Sequence, residues 1–327
     1  MESLENIKVS IIIPVYNVES YVEDCLHSVM NQSYNNIECI FVDDCTTDNS
    51  IDIINGSLAR YNGPIEFRII SHAKNMGLSA ARNTGIRNSK GDYLFFLDSD
   101  DEITENAISN LVKLCDCGKV DCVVGGVKVI GDSRQINSEI QLLSINKQLL
   151  SSTLEILKSY YYNEWYVMAW NKLIRRDFVI INDLMFPEGL LHEDQCWSFK
   201  LSLCAKAMAF CFDDTYVYKI RSNSITSRIV AKNLLSLLEI VDINYSNFQE
   251  HPNYKYALPK LRSTISFTIK NICMSDEPRV AKYKYLHHLK STIRRMHIFS
   301  LPVDFKDAVR QLLFLLNEKM LLLIYKK

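Results

Sequence analysis

The chain has 327 residues, of which 48% are hydrophobic and 23% are charged, and its formal net charge is -1 at neutral pH. This composition is typical of a globular protein and excludes a disordered or fibrous one, and the length suffices for one large core with an appended module. The small net charge provides no overall field that would attract nucleic acid, so we expect no nucleic-acid partner.

The N-terminal residues lack a basic segment followed by an apolar one, so they do not read as a secretory signal, and we expect a cytoplasmic protein. Ten cysteines are scattered through strand-like and helix-like segments. Without export to an oxidising compartment, we expect these cysteines to be buried thiols rather than disulfides. The absence of a CxxC pair argues against a zinc site.

The first third of the chain alternates short apolar runs with segments of helical periodicity. The first run, residues 8–13, is rich in β-branched residues and ends at Pro14, as expected of a strand that is buried on both faces. Ser20 and Glu23 have the spacing of a capping box at the start of the first helix. Further strands are predicted at residues 37–43, 65–71 and 93–97, and helices at about 48–61 and 78–88. This alternation predicts an α/β fold with a parallel, doubly wound sheet.

The second half of the chain changes character twice. A strand at residues 121–130 leads into a mixed segment that contains two tryptophans and an acidic cluster at residues 188–194. Beyond about residue 230 the pattern is helical throughout. We therefore predict one domain over residues 1–228 and a helical extension over residues 229–327.

Polar residues follow three of the predicted strands, at the edge of the sheet where such folds bind their ligands. They are residues 14–17, 43–44 and 98–101. Two carboxylates about 4 Å apart repel by roughly 4 kcal/mol at an effective dielectric near 20, and a cation would relieve that repulsion. Oxygen ligands suit Mg²⁺ or Mn²⁺, so we expect Asp98 and Asp100 to hold such an ion together with a diphosphate. The alternative is a solvated turn that caps the next helix.

Five motifs resemble those of the family 2 glycosyltransferases of GT-A fold, in order and in spacing, over about residues 7–225. They are Val-Ser-Ile-Ile-Ile-Pro-Val-Tyr-Asn at 9–17, Val-Asp-Asp at 42–44, Asn-Met-Gly at 75–77, Ala-Arg-Asn at 81–83 and Asp-Ser-Asp-Asp at 98–101. The resemblance implies a GT-A (Rossmann-like) fold, with a mixed, mostly parallel sheet flanked by helices, followed here by a C-terminal helical extension. It also implies an inverting, metal-dependent transferase that uses a nucleotide sugar.

The same resemblance implies a set of donor-binding residues, in which Asp44 accepts a hydrogen bond from the imide N–H of uracil. Cytosine has an unprotonated nitrogen there, which would face the carboxylate acceptor to acceptor, so we expect a UDP-sugar. The alternatives are a helix N-terminal turn for Asp44, a helix cap for Asn75 and a surface ion pair for Arg82. The implied donor residues are Pro14, Tyr16, Asn17, Asp44, Asn75, Arg82, Asp98, Ser99 and Asp100, with Arg221, Ser224 and Ser227 closing over the diphosphate.

Residues 186–197 resemble the Glu-Asp motif of the family, which lies before a helix. The resemblance implies that Asp194 is the general base that an inverting transfer requires, with Glu193 as its partner. The alternative is that both are exposed first-turn acids, which offset the helix dipole. The family often has a histidine metal ligand further on, and none occurs between residues 193 and 250, so the third ligand is not assigned.

Trp165, Trp170 and Lys172 precede this motif, and aromatic faces beside a charged side chain suit stacking on a sugar. We therefore assign them to the acceptor side, with packing at a domain junction as the alternative.

Near the C-terminus an apolar stripe recurs at helical spacing among basic residues, which suits a helix that lies on a membrane surface. Its apolar runs are too short to span a bilayer. Docking on the protein itself or on a second subunit, as in a homodimer, is the alternative. If the stripe touches lipid, family analogy suggests a lipid-linked saccharide acceptor at the inner face of the cell membrane, in surface-polysaccharide biosynthesis. The stripe comprises Val309, Leu312, Leu313, Leu316, Met320 and Leu323, and the basic residues are Arg310, Lys319, Lys326 and Lys327.

Two other functions compete with a transferase. A sugar-nucleotide hydrolase or nucleotidyltransferase would also use clustered acids and a metal, but the chain lacks a Gly-rich phosphate loop. A non-catalytic nucleotide-sugar-binding scaffold would not need Asp98, Asp100 and Asp194, all of which are intact.

Overall fold

The computed structural model describes residues 6–116, 119–131, 143–220, 230–251, 255–296 and 298–325. Arg221, Ser224 and Ser227, which were assigned to the donor site, lie outside these residues, as does the predicted domain boundary at residues 228–229. Lys326 and Lys327 of the predicted basic stripe lie outside them too.

Nine strands of the described residues form one sheet in the order β3-β2-β1-β4-β8-β6-β9-β5, with β7 paired to β9. Strands β1 to β4, β6 and β9 run in one direction, and β5, β7 and β8 run in the other. With its flanking helices, this mixed and mostly parallel sheet confirms the predicted fold class. The strands are β1 Val9–Val15, β2 Ile37–Asp43, β3 Glu66–Ser71, β4 Tyr93–Phe96, β5 Glu102–Ile103, β6 Cys122–Ile130, β7 Leu149–Leu150, β8 Lys172–Arg175 and β9 Met208–Lys219.

The helices of the first half connect the parallel strands, and those beyond residue 230 follow one another without a strand in the described residues. They are α1 Val22–Met30, α2 Ser50–Leu58, α3 Leu78–Asn88, α4 Ala107–Val112, α5 Thr153–Tyr161, α6 Arg176–Ile181, α7 Asp194–Cys204, α8 Ala231–Glu250, α9 Ala257–Met274, α10 Arg279–Arg295, α11 Phe305–Leu315 and α12 Glu318–Ile324. The bounds predicted for β2 and α3 are confirmed.

The predicted capping box at the start of α1 is wrong. The N-cap residue is Tyr21, and no side chain caps the helix. Instead, the carbonyl of Val18 accepts hydrogen bonds from the N–H groups of Tyr21 and Val22 at 2.9 and 3.0 Å. A tight backbone turn therefore satisfies the first donors of the helix, and Ser20 stays exposed.

Strand β1 lies in the centre of the sheet, and all seven of its residues are buried. Helix α3 packs closely on it: a Cβ at Gly85 would lie 2.3 Å from Cγ2 of Ile12, which is shorter than any real contact. Only glycine permits this approach. The close packing fixes the depth of α3, whose buried Arg82 lies one turn before Gly85.

The C-terminal helices share one apolar core with the sheet, in which Leu234 of α8 and Leu261 of α9 join Ile11 of β1. The single helix implied by the apolar stripe is wrong, because the chain forms two helices, α11 and α12. Asn317 begins α12 by accepting a hydrogen bond from the N–H of Met320 through its side chain. In the part of the chain that is described, no helix is both long and apolar enough to cross a bilayer.

The nine cysteines in the described residues are free thiols, and seven of them are buried. This outcome confirms the expectation of buried thiols for most of them. The two partly buried ones are Cys45 and Cys204.

Candidate active site

The loops that follow β1 and β2 are joined through Asn17. Its backbone has a φ of 53°, in the left-handed region that asparagine tolerates better than most residues. The side-chain oxygen accepts hydrogen bonds from the N–H and the hydroxyl of Thr47, both at 3.1 Å, and the N–H of Asn17 donates to Oγ1 of Thr46 at 2.7 Å. Of its predicted neighbours, Pro14 is buried within β1 and Tyr16 has an exposed ring. Tyr16 is thus open to a ligand, whereas Asn17 shapes the loop.

Asp44 lies buried below a turn formed by residues 75–77. Its Oδ1 accepts from the N–H of Met76 at 2.7 Å and lies 2.7 Å from Nδ1 of His72, while its Oδ2 accepts from the N–H of Gly77 at 2.7 Å. Gly77 has a φ of 90°, a conformation that glycine adopts readily. Asn75, in the same turn, is exposed. These three contacts hold the carboxylate in one orientation. Among the described contacts Oδ2 accepts a single hydrogen bond, so it can accept a second one.

His72 is a part of this site that the sequence analysis missed. Its Nε2 lies 2.9 Å from Oγ1 of Thr84 on α3, so its ring is held between that helix and Asp44. No motif distinguishes this histidine in the sequence, because its role depends on a contact between residues that are 28 positions apart.

Three carboxylates meet directly after β4. One ligand oxygen from each of Asp98, Asp100 and Asp101 lies within 4.8 Å of the others. Asp98 and Asp100 are partly exposed, whereas Asp101 and Ser99 are buried. This set of oxygens is compatible with Mg²⁺ or Mn²⁺, which prefer carboxylates and substrate phosphates. The partly exposed pair is the one that can also reach a ligand.

Asp101 anchors the cluster to β9. Its oxygens accept from the hydroxyl of Tyr216 at 2.9 Å and from the N–H of Lys219 at 3.1 Å. Burial and the negative charges of Asp100 and Asp98 raise the pKa of Asp101 to about 8, although those two hydrogen bonds oppose the rise. Asp101 therefore ties the cluster to β9 through these two hydrogen bonds.

Arg82 connects this cluster to the beginning of α7. Its Nη2 donates to Oδ1 of Asp98 at 2.9 Å, and its Nη1 donates to Oε1 of Glu193 at 2.8 Å and to Oδ1 of Asp194 at 3.1 Å. The guanidinium is 1% exposed and lies over the ring of Phe186, 5.2 Å from its centroid. Burial lowers the pKa of Arg82, but the charges of Asp194, Asp98 and Glu193 raise it further, so the net shift is upward. The alternative of a surface ion pair is therefore wrong for Arg82.

Glu193 and Asp194 are largely buried, with side-chain exposures of 8% and 18%. Burial and the charge of Asp194 raise the pKa of Glu193 to about 7, against the opposing effect of Arg82. Burial likewise raises the pKa of Asp194, with Arg82 opposing. The interpretation of these residues as exposed first-turn acids is therefore wrong, because both carboxylates face a buried cation.

The residues assigned to the acceptor side are all buried: Trp165, Trp170 and Lys172 have exposures of 1%, 3% and 0%. The ring of Trp170 stacks on Tyr216 with centroids 4.5 Å apart, and Trp165 stacks on Tyr160 at 4.6 Å. Stacking of these side chains on a sugar is therefore not supported by the structure, which favours the alternative of packing. Trp170 supports the site indirectly, because Tyr216 is the residue that donates to Asp101.

Comparison with known proteins identifies the family. The model of "Glycosyl transferase family 2" matches residues 10–180. Glycosyltransferase GlyA of Streptococcus pneumoniae serotype 4 is 30% identical over 291 residues, which cover 85% of this chain and 40% of GlyA. The poly(ribitol-phosphate) beta-glucosyltransferase of Bacillus spizizenii is 27% identical over 292 residues, or 85% of this chain and 44% of that protein. The chain thus spans less than half the length of either relative.

Among solved structures, residues 1–349 of S. aureus TarS in complex with UDP-GlcNAc align with a TM-score of 0.73 at 21% identity, covering 88% of this chain and 81% of TarS 1–349. This likeness supports the predicted GT-A fold. The family model extends over more than half of the chain and includes the motifs from β1 to the acidic cluster after β4, except for the first residue of the first motif, Val9. The chain belongs to glycosyl transferase family 2.

Proposed function

We propose that this protein transfers a sugar from a UDP-sugar to a hydroxyl group of a saccharide acceptor, with inversion at the anomeric carbon. The observation that carries the proposal is the bridge made by Arg82. One buried guanidinium joins Asp98, on the side assigned to the donor, to Asp194, the candidate base. The group proposed to act on the donor and the candidate base for the acceptor are thereby joined through one cation.

The geometry around Asp44 supports a uracil nucleotide. The carboxylate has an accepting direction left at Oδ2, and the imide N–H of uracil is a suitable donor, whereas cytosine offers an acceptor at that position. Tyr16 and Asn75, both exposed, lie on the loops next to it. The structural likeness to TarS bound to UDP-GlcNAc supports the same choice.

We also propose that Asp98 and Asp100 hold Mn²⁺ or Mg²⁺ together with the diphosphate of the donor. When bound, such an ion would stabilise the negative charge that develops on the departing diphosphate. Arg82, which is itself buried, donates to Oδ1 of Asp98, whose side chain is 25% exposed, so this carboxylate is held in place and can still reach a ligand.

Asp194 is the proposed general base, which takes the proton of the acceptor hydroxyl as this oxygen attacks the anomeric carbon. Glu193 shares Nη1 of Arg82 with it and orders the beginning of α7. With one candidate base and no evident nucleophile beside it among the described residues, an α-linked donor is expected to give a β-linked product. The Bacillus spizizenii relative is a beta-glucosyltransferase, which supports this stereochemistry. An α linkage in the NMR spectrum of the product would contradict inversion.

Calorimetric titration of UDP, CDP and GDP into the protein tests the donor class. We expect UDP to bind in the presence of Mn²⁺ and to bind at least about tenfold more weakly after addition of EDTA, since a lost charged contact costs about 1.5–3 kcal/mol. Asp100→Asn should reduce the metal-dependent part of UDP binding by a similar factor. Asp116→Asn, an exposed acid away from the cluster, is the control. CDP binding equal to that of UDP would contradict the role of Asp44, and binding of none of the three nucleotides would favour a scaffold.

For the acceptor, we propose a lipid-linked saccharide that is extended at the inner face of the cell membrane during surface-polysaccharide synthesis. Support comes from the exposed face of α11, which is apolar. Phe305 and Leu315 are 85% and 68% exposed, and Val309 and Leu312 lie between them on the same face at helical spacing. The predicted stripe is corrected here: Leu313 and Leu316 are partly buried, and Arg310 is buried, so that it does not contribute surface charge.

The charge of this region supports the same proposal. Residues 278–327 contain eleven Lys and Arg, of which Lys290 and Arg310 are buried, but only three Asp and Glu, although the whole chain has a net charge of -1. An exposed apolar face within a basic segment is the combination that binds an anionic lipid surface.

Sedimentation with lipid vesicles tests this contact. We expect the protein to sediment with vesicles that contain phosphatidylglycerol and much less with pure phosphatidylcholine, and Leu312→Ser with Leu315→Ser to abolish the binding. Ile181→Ser, an exposed apolar residue on α6, is the matched control. Absence of vesicle binding together with a dimer that the double variant dissociates would contradict the membrane contact and establish a homodimer instead.

A further inference from the structure

Lys172, the first residue of β8, is a completely buried lysine that has no role in the proposed chemistry so far. Its ammonium donates to the carbonyl of Tyr166 at 3.1 Å and to the carbonyl of Met168. It also lies over the ring of Tyr166, 4.3 Å from the centroid. The side chain thus holds the loop of residues 166–170 through hydrogen bonds to two of its carbonyl groups.

That loop reaches the candidate base. The hydroxyl of Ser198 on α7, the helix that Asp194 begins, donates to the carbonyl of Val167 in this loop at 2.5 Å. The backbone N–H of Ala169, the residue after Met168, lowers the pKa of Asp194. The positive charge of Lys172 acts on Asp194 in the same direction, favouring the ionised carboxylate. The other ionisable groups that act on Lys172 are Cys122, which is buried on β6, and Arg82.

We propose that Lys172 is a positioning residue for the general base: it fixes the 166–170 loop so that the N–H of Ala169 and its own charge are directed at Asp194. This proposal rests on the proposed function. It replaces the prediction that Lys172 touches the acceptor, which its burial does not support.

Burial of the Lys172 ammonium costs free energy that a residue with a packing role alone would not need to overcome. Burial lowers the pKa of Lys172 to about 7, which reflects the expense of keeping an ammonium away from water. A methionine has nearly the same length and volume without that expense. If Lys172 served only packing, methionine would do as well there, apart from two carbonyls left without a donor.

The test is Lys172→Met, assayed for transfer, for UDP binding and for thermal unfolding. We expect kcat to fall about 10- to 100-fold, a range typical of the loss of a supporting contact to a catalytic group. UDP affinity should stay within twofold of the original protein, because the nucleotide groups are not touched. The acidic limb of the pH profile of kcat should move to higher pH, because Asp194 loses a nearby positive charge.

Lys260→Met is the matched control. Lys260 is also a shielded lysine with a pKa lowered to about 7 by burial, and its ammonium likewise binds a backbone carbonyl, that of Tyr160, at 3.0 Å. The charges that act on it are those of Arg310 and Lys306, not of a carboxylate in the site. Its replacement should leave kcat unchanged.

A double variant separates this proposal from the proposed function. If Lys172 acts through Asp194, Lys172→Met should not lower kcat further in a protein that already carries Asp194→Asn. An additive loss, an unchanged kcat in Lys172→Met, or a parallel loss of kcat and UDP affinity with a lowered Tm would each overturn the positioning role. Failure of the unmodified protein to transfer any UDP-sugar would instead refute the proposed function.

Discussion

Asp194→Asn is expected to lower the rate of transfer by about 10²- to 10⁴-fold, the usual contribution of a general base. Asparagine keeps the shape of the side chain and an oxygen that can still accept from Nη1 of Arg82. The donor groups at Asp44 and Asp98 are not changed by this substitution. We therefore expect kcat to fall while the affinity for UDP, measured by calorimetry, is kept.

The pH profile adds an independent check on the same residue. A base must be ionised to act, and burial raises the pKa of Asp194 above its ordinary range, with Glu193 beside it raised to about 7. The transfer rate of the unmodified protein should therefore begin to fall at a higher pH than the ordinary titration of an aspartate would give, as Asp194 takes up a proton. In Asp194→Asn, the remaining activity should lose most of this dependence, because the group that titrates is gone.

Two variants control this experiment. Asp183→Asn changes an acid that is 86% exposed shortly before α7, and it should have little effect. Glu193→Gln should reduce transfer less than Asp194→Asn, because it removes the partner and not the base. A larger loss in Glu193→Gln would show that the two roles are reversed.

The parts of the fold that the sequence predicts are those fixed by local patterns. Strand β2 and helix α3 have the predicted bounds because a buried apolar run and a helical period are visible within a short window. A local pattern did not reveal the break between α11 and α12, because the apolar residues keep their helical spacing from Leu313 to Leu323 across it. The available signal was Asn317, a good N-cap residue followed by an acid in the first turn.

The candidate site was predicted residue by residue, but the contacts within it were not. Arg82 and Asp194 are 112 positions apart, and no local pattern gives the distance between them. Lys172 was assigned to the acceptor side because a charged side chain beside aromatic faces suits binding of a sugar. Carbonyl groups of the neighbouring loop satisfy its charge here, and a motif made of side chains does not reveal such partners.

The second large effect concerns Arg82, the centre of this network. Replacement of Arg82 by Met should leave three carboxylates without their shared cation, two of them largely buried. Removal of one partner from a buried ion pair costs about 3–5 kcal/mol. We expect a loss of stability of this order in denaturant unfolding, with no detectable transfer. Arg87→Met is the control, because Arg87 is an exposed residue of the same helix whose ion pair with Glu188 spans 3.7 Å, and its loss should cost under about 1 kcal/mol.

Arg82→Lys separates the charge of this residue from its geometry. Lysine keeps the positive charge and should recover much of the stability that methionine loses. An ammonium cannot, however, reproduce the planar fork that reaches Asp98 through one nitrogen and Glu193 and Asp194 through the other. Transfer should therefore remain at least about 100-fold below that of the original protein, a loss of about 2.7 kcal/mol in transition-state stabilisation. Near-normal transfer in Arg82→Lys would mean that a positive charge alone suffices, and the bridge between donor side and base would then have no part in catalysis.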